Sequence, residues 1–113
     1  LAGDEVLKAF ALLLTTNVRS VDIVGRWGGE EFLIICPQTD VDSAAVLATK
    51  LTKIVEGYAF PAVGHVTISA GVSSIRADAT IYINLSEVDE ALYEAKANGR
   101  NQVVVAKKQE QPT

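Results

Sequence analysis

Methionine is absent from the 113 residues, and cysteine and histidine occur once each, as Cys36 and His65. One cysteine and one histidine exclude, within a single chain, both a disulfide framework and a Cys/His zinc site. A reducing, cytoplasmic setting is therefore expected, for a free protein or for the cytoplasmic part of a membrane-anchored one. Positive charge is short as well. Ten Lys and Arg against fourteen Asp and Glu leave a net charge of −4, the wrong sign for gripping a nucleic-acid polymer along its phosphates. Any phosphate site must be local. No apolar run approaches the roughly 18 to 20 residues that span a bilayer, and no basic stretch followed by an apolar one opens the chain in the manner of a secretory signal. The missing methionine, together with the opening Leu1-Ala2-Gly3-Asp4, leads us to expect a piece of a longer protein.

Against those absences stands a composition of 49% hydrophobic and 21% charged residues, enough to fill one compact core. Val6, Leu7, Phe10, Ala11, Leu14 and Val18 recur every three or four positions, predicting an amphipathic helix from about Asp4 to Val18. Ile23 to Trp27 and Phe32 to Cys36 are β-prone runs around Gly28-Gly29, a hairpin pattern because glycine accepts positive φ. The run Phe32 to Cys36 is apolar on both faces and predicts a strand inside a sheet, stopped by Pro37. Ala44, Leu47, Ala48, Leu51, Ile54 and Val55 define a second helix, with Asp40 or Asp42 as N-cap and Gly57 as its end. Val66 to Val72 alternate as a half-buried strand. Ser86 is expected to cap a third helix, with Glu87 to Glu90 in its first turn, Val88, Ala91, Leu92 and Ala95 buried, and Gly99 at its close. Gln102 to Ala106 make a last strand, and 107–113 a polar tail. Helix, hairpin, helix, strand, helix, strand is an α/β (α+β sandwich) order: a mixed sheet with helices packed on it.

The densest chemical signal is Arg26-Trp27-Gly28-Gly29-Glu30-Glu31-Phe32. It suits a plain hairpin whose turn needs glycines and whose tip is kept wet by glutamates. It also suits a polyphosphate site, since residues without side chains let phosphates approach the backbone while a neighbouring carboxylate holds the hard cation that neutralises them. These residues resemble the signature of the GGDEF family, the diguanylate cyclases, in its G-G-E-E-F form. Five fixed positions at frequencies of about 0.04 to 0.07 would match by chance roughly once in 10,000 such chains. The resemblance continues in family order through Gly3-Asp4-Glu5-Val6-Leu7, Arg19-Ser20-Val21-Asp22 and Tyr93-Glu94-Ala95-Lys96-Ala97-Asn98-Gly99-Arg100-Asn101, so that 1–106 reads as one such domain.

The resemblance implies a nucleotidyl cyclase-like fold that condenses two GTP to cyclic di-GMP and two pyrophosphates. It implies that Glu30 ligates Mg²⁺ or Mn²⁺, that Gly28 and Gly29 lie against the phosphates, and that Glu31 supports the metal or the attacking hydroxyl. Asp4 matches the residue that hydrogen-bonds guanine, whose adjacent N–H donors suit a carboxylate. Lys96 and Arg100 match residues that bind the terminal phosphates, although cations there also complement a helix dipole. Arg19 and Asp22 match the R-x-x-D site at which cyclic di-GMP inhibits. That pattern is also common in surface turns, and the spacing to Gly28 favours the product site. A homodimer is implied because each domain binds one GTP, and a sensory or receiver domain is expected upstream. The family's first strand, with its other metal-binding aspartate, is absent from this sequence, and the piece alone is expected to lack turnover. The alternative is a non-catalytic module that senses GTP or cyclic di-GMP. His65 and Cys36 are read as ordinary structural residues, Cys36 in the core.

Overall fold

The computed structural model describes residues 3–107. Its first element, α1 (Asp4–Thr16), carries Asp4 and Glu5 in its first turn, where carboxylates complement the partial positive charge of the helix start. It stops two residues short of the expected Val18. Thr15 and Thr16 turn their hydroxyls back on carbonyls of the preceding turn, and the Asn17 side chain donates to the Leu13 carbonyl at 2.8 Å, so the end is closed by side chains.

The hairpin follows as β1 (Ile23–Gly28) and β2 (Glu31–Ile35), antiparallel with Ile23 opposite Ile35 and Gly28 opposite Glu31. Gly28 remains in the ladder beside a bulge, and the turn is Gly29-Glu30, with Gly29 at φ 49°. The expectation that β2 lies inside a sheet is corrected: among the described residues it pairs with β1 alone, and Phe32 to Ile34 are only half-buried. Its two apolar faces are covered by α1 and neighbouring side chains to that extent only, Phe10 stacking on Phe32 with ring centroids 4.9 Å apart.

Next, α2 (Val41–Glu56) begins at the expected Asp40, whose carboxylate accepts from Ser43 N at 2.7 Å, and ends at Gly57. A short hairpin absent from the sequence reading comes after it, β3 (Ala59–Phe60) with β4 (Gly64–His65). Two-residue strands leave no period to detect, yet Phe60 is a core residue at 3% exposure. The alternating segment 66–72 pairs only from Ala70, as β5 (Ala70–Val72).

The third helix, α3 (Ile81–Ala97), starts five residues before the expected cap. Thr80 caps it by accepting from Ile83 N at 3.2 Å, and Ser86 sits inside the helix, donating to the Ile83 carbonyl. Ile81, Tyr82 and Ile83 disfavour helix locally; the Thr80 cap and the bonds of Asn84 override them. Asn84 accepts from Arg76 N and donates to the Arg76 and Thr80 carbonyls, stitching the preceding loop to the first turn. Glu87, expected in the first turn, lies in the second, buried at 4% exposure and ion-paired with Arg76 at 2.9 Å. Ala91 and Ala95 are buried as expected.

Finally β6 (Val103–Val105) lies parallel to β5, Ala70 opposite Val103. Helices thus pack on strands joined both in parallel and antiparallel, as the α/β reading requires, with the pairings divided among three two-stranded ladders. Beyond Lys107 the expected polar tail lies outside the described residues.

The core gathers where α3 and α2 meet β5: Leu51, Val55, Val72, Ala91 and Ala95 are buried there. Gly71 makes this approach possible. A Cβ at Gly71 would stand 2.5 Å from Leu92 N and 2.6 Å from Val88 O, so strand and helix backbones touch where the side chain is missing.

Candidate phosphate and nucleotide sites

The hairpin tip is held by its own arginine. Arg26 directs Nε and Nη2 at the Gly29 carbonyl, 2.9 and 2.6 Å away, clamping the turn from the strand that leads into it. Glu30 projects from that turn, exposed and without a hydrogen bond or ion pair among the described residues. Glu31, one residue on, is half-buried and points its Oε2 at Lys96 Nζ, 3.7 Å away. The fold therefore brings one signature carboxylate and one helix cation together across 65 residues of sequence, with Glu31 at the start of β2 meeting the face of α3 that carries Asp89, Tyr93 and Lys96. Between them opens a cleft of about 250 Å³, lined by Glu31, Asp89, Leu92, Tyr93 and Lys96. That is below the ~300 Å³ of sites that enclose a whole ligand, and suits the polar end of one.

Asp89, Leu92, Tyr93 and Lys96 were given no shared role in the sequence reading. Their spacing places them on one face of α3, and that stripe was the available signal. Arg26 was missed because its partner, a backbone carbonyl, leaves no mark in a residue pattern.

Arg100 stands just past α3, in a loop where Gly99, Arg100 and Asn101 all take positive φ, at 115°, 64° and 49°. Its amide donates to the Ala95 carbonyl, and its guanidinium is exposed. Asp4 lies exposed in the first turn of α1, without a hydrogen bond of its carboxylate among the described residues. Among the described residues no hydrogen bond or ion pair joins Asp4 or Arg100 to the hairpin. Nor do the described residues contain a group of three or more His, Cys, Asp or Glu placed to hold a metal. The donor set at the tip is one free carboxylate and a second one paired with lysine. It fits a hard ion such as Mg²⁺, which takes one or two protein carboxylates and completes its octahedron with water and phosphate oxygens.

A second cavity, of about 260 Å³, opens between the α1–β1 turn and α2. Arg19 and Asp22 meet in its wall at 2.9 Å, and Asp22 also accepts from Arg19 N at 2.8 Å, its side chain shielded from solvent. The same guanidinium donates to the Pro37 carbonyl at 2.9 Å and to Thr39 Oγ1 at 2.6 Å, fixing the turn between β2 and α2. Hydrogen bonding to Arg19 holds the Asp22 carboxyl below the usual carboxylate range, and the carboxylate in turn raises Arg19. Lys50 and Cys36 complete the wall. The reading of Cys36 as plain core is corrected: it is half-buried at this cavity, its thiol pushed up by burial and by Asp22. Thr39 and Lys50 come to Arg19 only through the packing of α2, which local sequence does not announce. His65 is exposed, with Nδ1 3.2 Å from the Glu56 carbonyl.

Residues 1–102 match the family model described as diguanylate cyclase, GGDEF domain. Among curated proteins, the chain is 45% identical over 109 residues to the response regulator PleD of Caulobacter vibrioides, covering 90% of this chain and 24% of that protein. It is 40% identical over 104 residues to the diguanylate cyclase DgcM of Escherichia coli, covering 92% and 25%. It thus spans about a quarter of the length of these relatives. Among solved structures, the active GGEEF domain of a Vibrio cholerae diguanylate cyclase superposes with a TM-score of 0.84 at 33% identity, over 94% of this chain and 69% of that one. The GGDEF domain of DgcB from Caulobacter crescentus, solved in complex with c-di-GMP, also gives 0.84, covering 93% of this chain and 65% of that one; at 24% identity it shares the fold.

Proposed function

This chain belongs to the GGDEF family of diguanylate cyclase domains, and we propose from that premise that the protein carrying it condenses two GTP to cyclic di-GMP and two pyrophosphates. The observation that carries the reading is the cleft at which Glu31 and Lys96 meet beside the unpaired Glu30. Anionic and cationic groups there face one small space, as a metal-bearing polyphosphate requires.

In the proposed reaction the 3′-hydroxyl of one nucleotide attacks the α-phosphate of the other, and pyrophosphate leaves. There is little covalent work for side chains, so catalysis is positioning and charge stabilisation. Gly28 and Gly29 let phosphates approach the backbone that Arg26 holds in place. Lys96 exchanges its contact with Glu31 for a terminal phosphate, and Arg100 supplies a second cation from the loop beyond. Freed of Lys96, Glu31 becomes available to the metal site or the attacking hydroxyl. Glu30 would hold Mg²⁺ or Mn²⁺, which neutralises phosphate charge when bound. Asp4 takes guanine by its N–H edge. Two domains facing each other bring the two GTP together, so the working form is a homodimer in the cytoplasm, driven by a further sensory or receiver domain. No helix among the described residues is long and apolar enough to cross a membrane. Cyclic di-GMP returns to the Arg19–Asp22 cavity as inhibitor, where an arginine beside a carboxylate suits phosphate and guanine together.

The test is Glu30→Gln in the full-length protein. Cyclic di-GMP synthesis from GTP and Mg²⁺ should fall below detection while the thermal midpoint stays within a degree or two, since the tip is exposed. Undiminished synthesis by the variant would remove the metal role of Glu30.

A further inference from the structure

The loop that carries Arg100 is tied to a distant helix by one side-chain pair among the described residues. Asn101 Nδ2 donates to Glu56 Oε2 at 2.5 Å, joining positions 45 residues apart. Glu56 is the last residue of α2 and also anchors His65 through its carbonyl. On the loop's own side, Gln102 donates to the carbonyls of Asn98 and Arg100 at 3.0 and 3.2 Å. The conformation these contacts hold is costly. Arg100 and Asn101 are consecutive non-glycine residues at φ 64° and 49°, a region that disfavours a Cβ. Asparagine tolerates it better than arginine does. A charge-assisted hydrogen bond from Asn101 to Glu56 offsets the strain and fixes the direction in which the neighbouring Arg100 leaves the chain.

We infer that Glu56, through Asn101, is a positioning residue for the phosphate-binding arginine at position 100: it makes no contact with the nucleotide and sets the affinity of the terminal phosphates. This rests on the nucleotide reading above. It assigns α2, whose other face lines the Arg19–Asp22 cavity, a second role at the opposite end.

The experiment compares Glu56→Ala, Glu56→Gln and Arg100→Ala in the full-length protein. Titrations use GTP and guanosine, and amide hydrogen exchange is followed at Arg100 and Gln102. Glu56→Ala should speed exchange at Arg100 and weaken GTP binding about five- to tenfold, the size expected for one solvent-exposed hydrogen bond, while guanosine binding is unchanged. Glu56→Gln keeps an acceptor oxygen and should restore most of both. In the Arg100→Ala background, Glu56→Ala should cost nothing further. Equal GTP affinity for Glu56→Ala and wild type, or an equal loss for GTP and guanosine, would overturn the inference. Failure of wild type to bind GTP at all would overturn the nucleotide reading itself and the positioning role with it, whatever the exchange at Arg100.

Discussion

The hairpin and the packed half of the molecule use glycine in opposite ways. In β5, Gly71 is an absence of volume: the α3 backbone occupies the space a side chain would need. In the hairpin, Gly29 has nothing within 4 Å of where a Cβ would stand and is favoured for its φ of 49°. The first glycine serves packing and the second serves shape. Burial divides the same way. Of the fully buried residues, Leu14 alone precedes α2; the rest lie on α2, β3, β5 and α3. The proposed hairpin site sits on the thinly packed half, braced by side chains such as Arg26 and Arg19 that bind backbone carbonyls, and α3 of the packed half brings Lys96 to it. In the proposed reading the packed half thus presents an open tip on which phosphates and metal would exchange with water.

The sharpest way to break this contrast is to make one substitution in both regions. Gly71→Ala should destabilise by at least about 3 kcal/mol, because the clashing atoms are helix backbone and cannot rotate aside. The thermal midpoint should drop by roughly 10 °C or more. A midpoint near wild type would mean that α3 can shift outward at little cost. Arg76→Ala comes next. It leaves Glu87, at 4% exposure, without its ion-pair partner, and urea unfolding should report a loss of about 2 to 3 kcal/mol. Arg76→Met should not recover it, since the buried charge stays unpaired.

Gly29→Ala is the hairpin's counterpart. It should cost only about 1 kcal/mol of stability, the strain of an alanine at positive φ, while GTP binding falls by a larger factor than unfolding does. A parallel loss of both would erase the distinction between packing and shape. The smallest effect is in pH. Asp22 and Asp40 are both held below the usual carboxylate range, by Arg19 and by the amide of Ser43. A depressed folded value means that each contributes stability fully present above the ordinary carboxylate pKa of about 4. That contribution is lost as pH falls through the folded value. Carboxyl chemical shifts followed by NMR should therefore titrate below those of an exposed aspartate, and Arg19→Ala should move Asp22 back up while leaving Asp40 where it was.

How much could be read in advance depended on how local each feature was. The α2 cap is set within four residues, and the sequence narrowed it to Asp40 or Asp42, of which the structure uses Asp40. The start of α3 was misplaced because Thr80, Ile81, Tyr82 and Ile83 look extended by themselves; the Asn84 bonds to Arg76 that hold the turn come from a loop eight residues away. The hairpin signature was legible as a short string, and so was Arg19-x-x-Asp22. Arg26 on Gly29, Thr39 on Arg19 and Glu56 on Asn101 were not, because a partner that is a carbonyl or lies far along the chain leaves no spacing to notice.

The residues by themselves determined the class of the fold, the amphipathic faces of α1 and α2, and which side chains could serve a phosphate or a metal, because periodicity and charge are carried in adjacent positions. Only the tertiary structure decided that Glu31 faces Lys96, that Gly71 seats α3, and that two consecutive residues after Gly99 turn left-handed. Each of those depends on two segments arriving at one place, and the free energy that rewards the arrival is gained only once the intervening chain has packed.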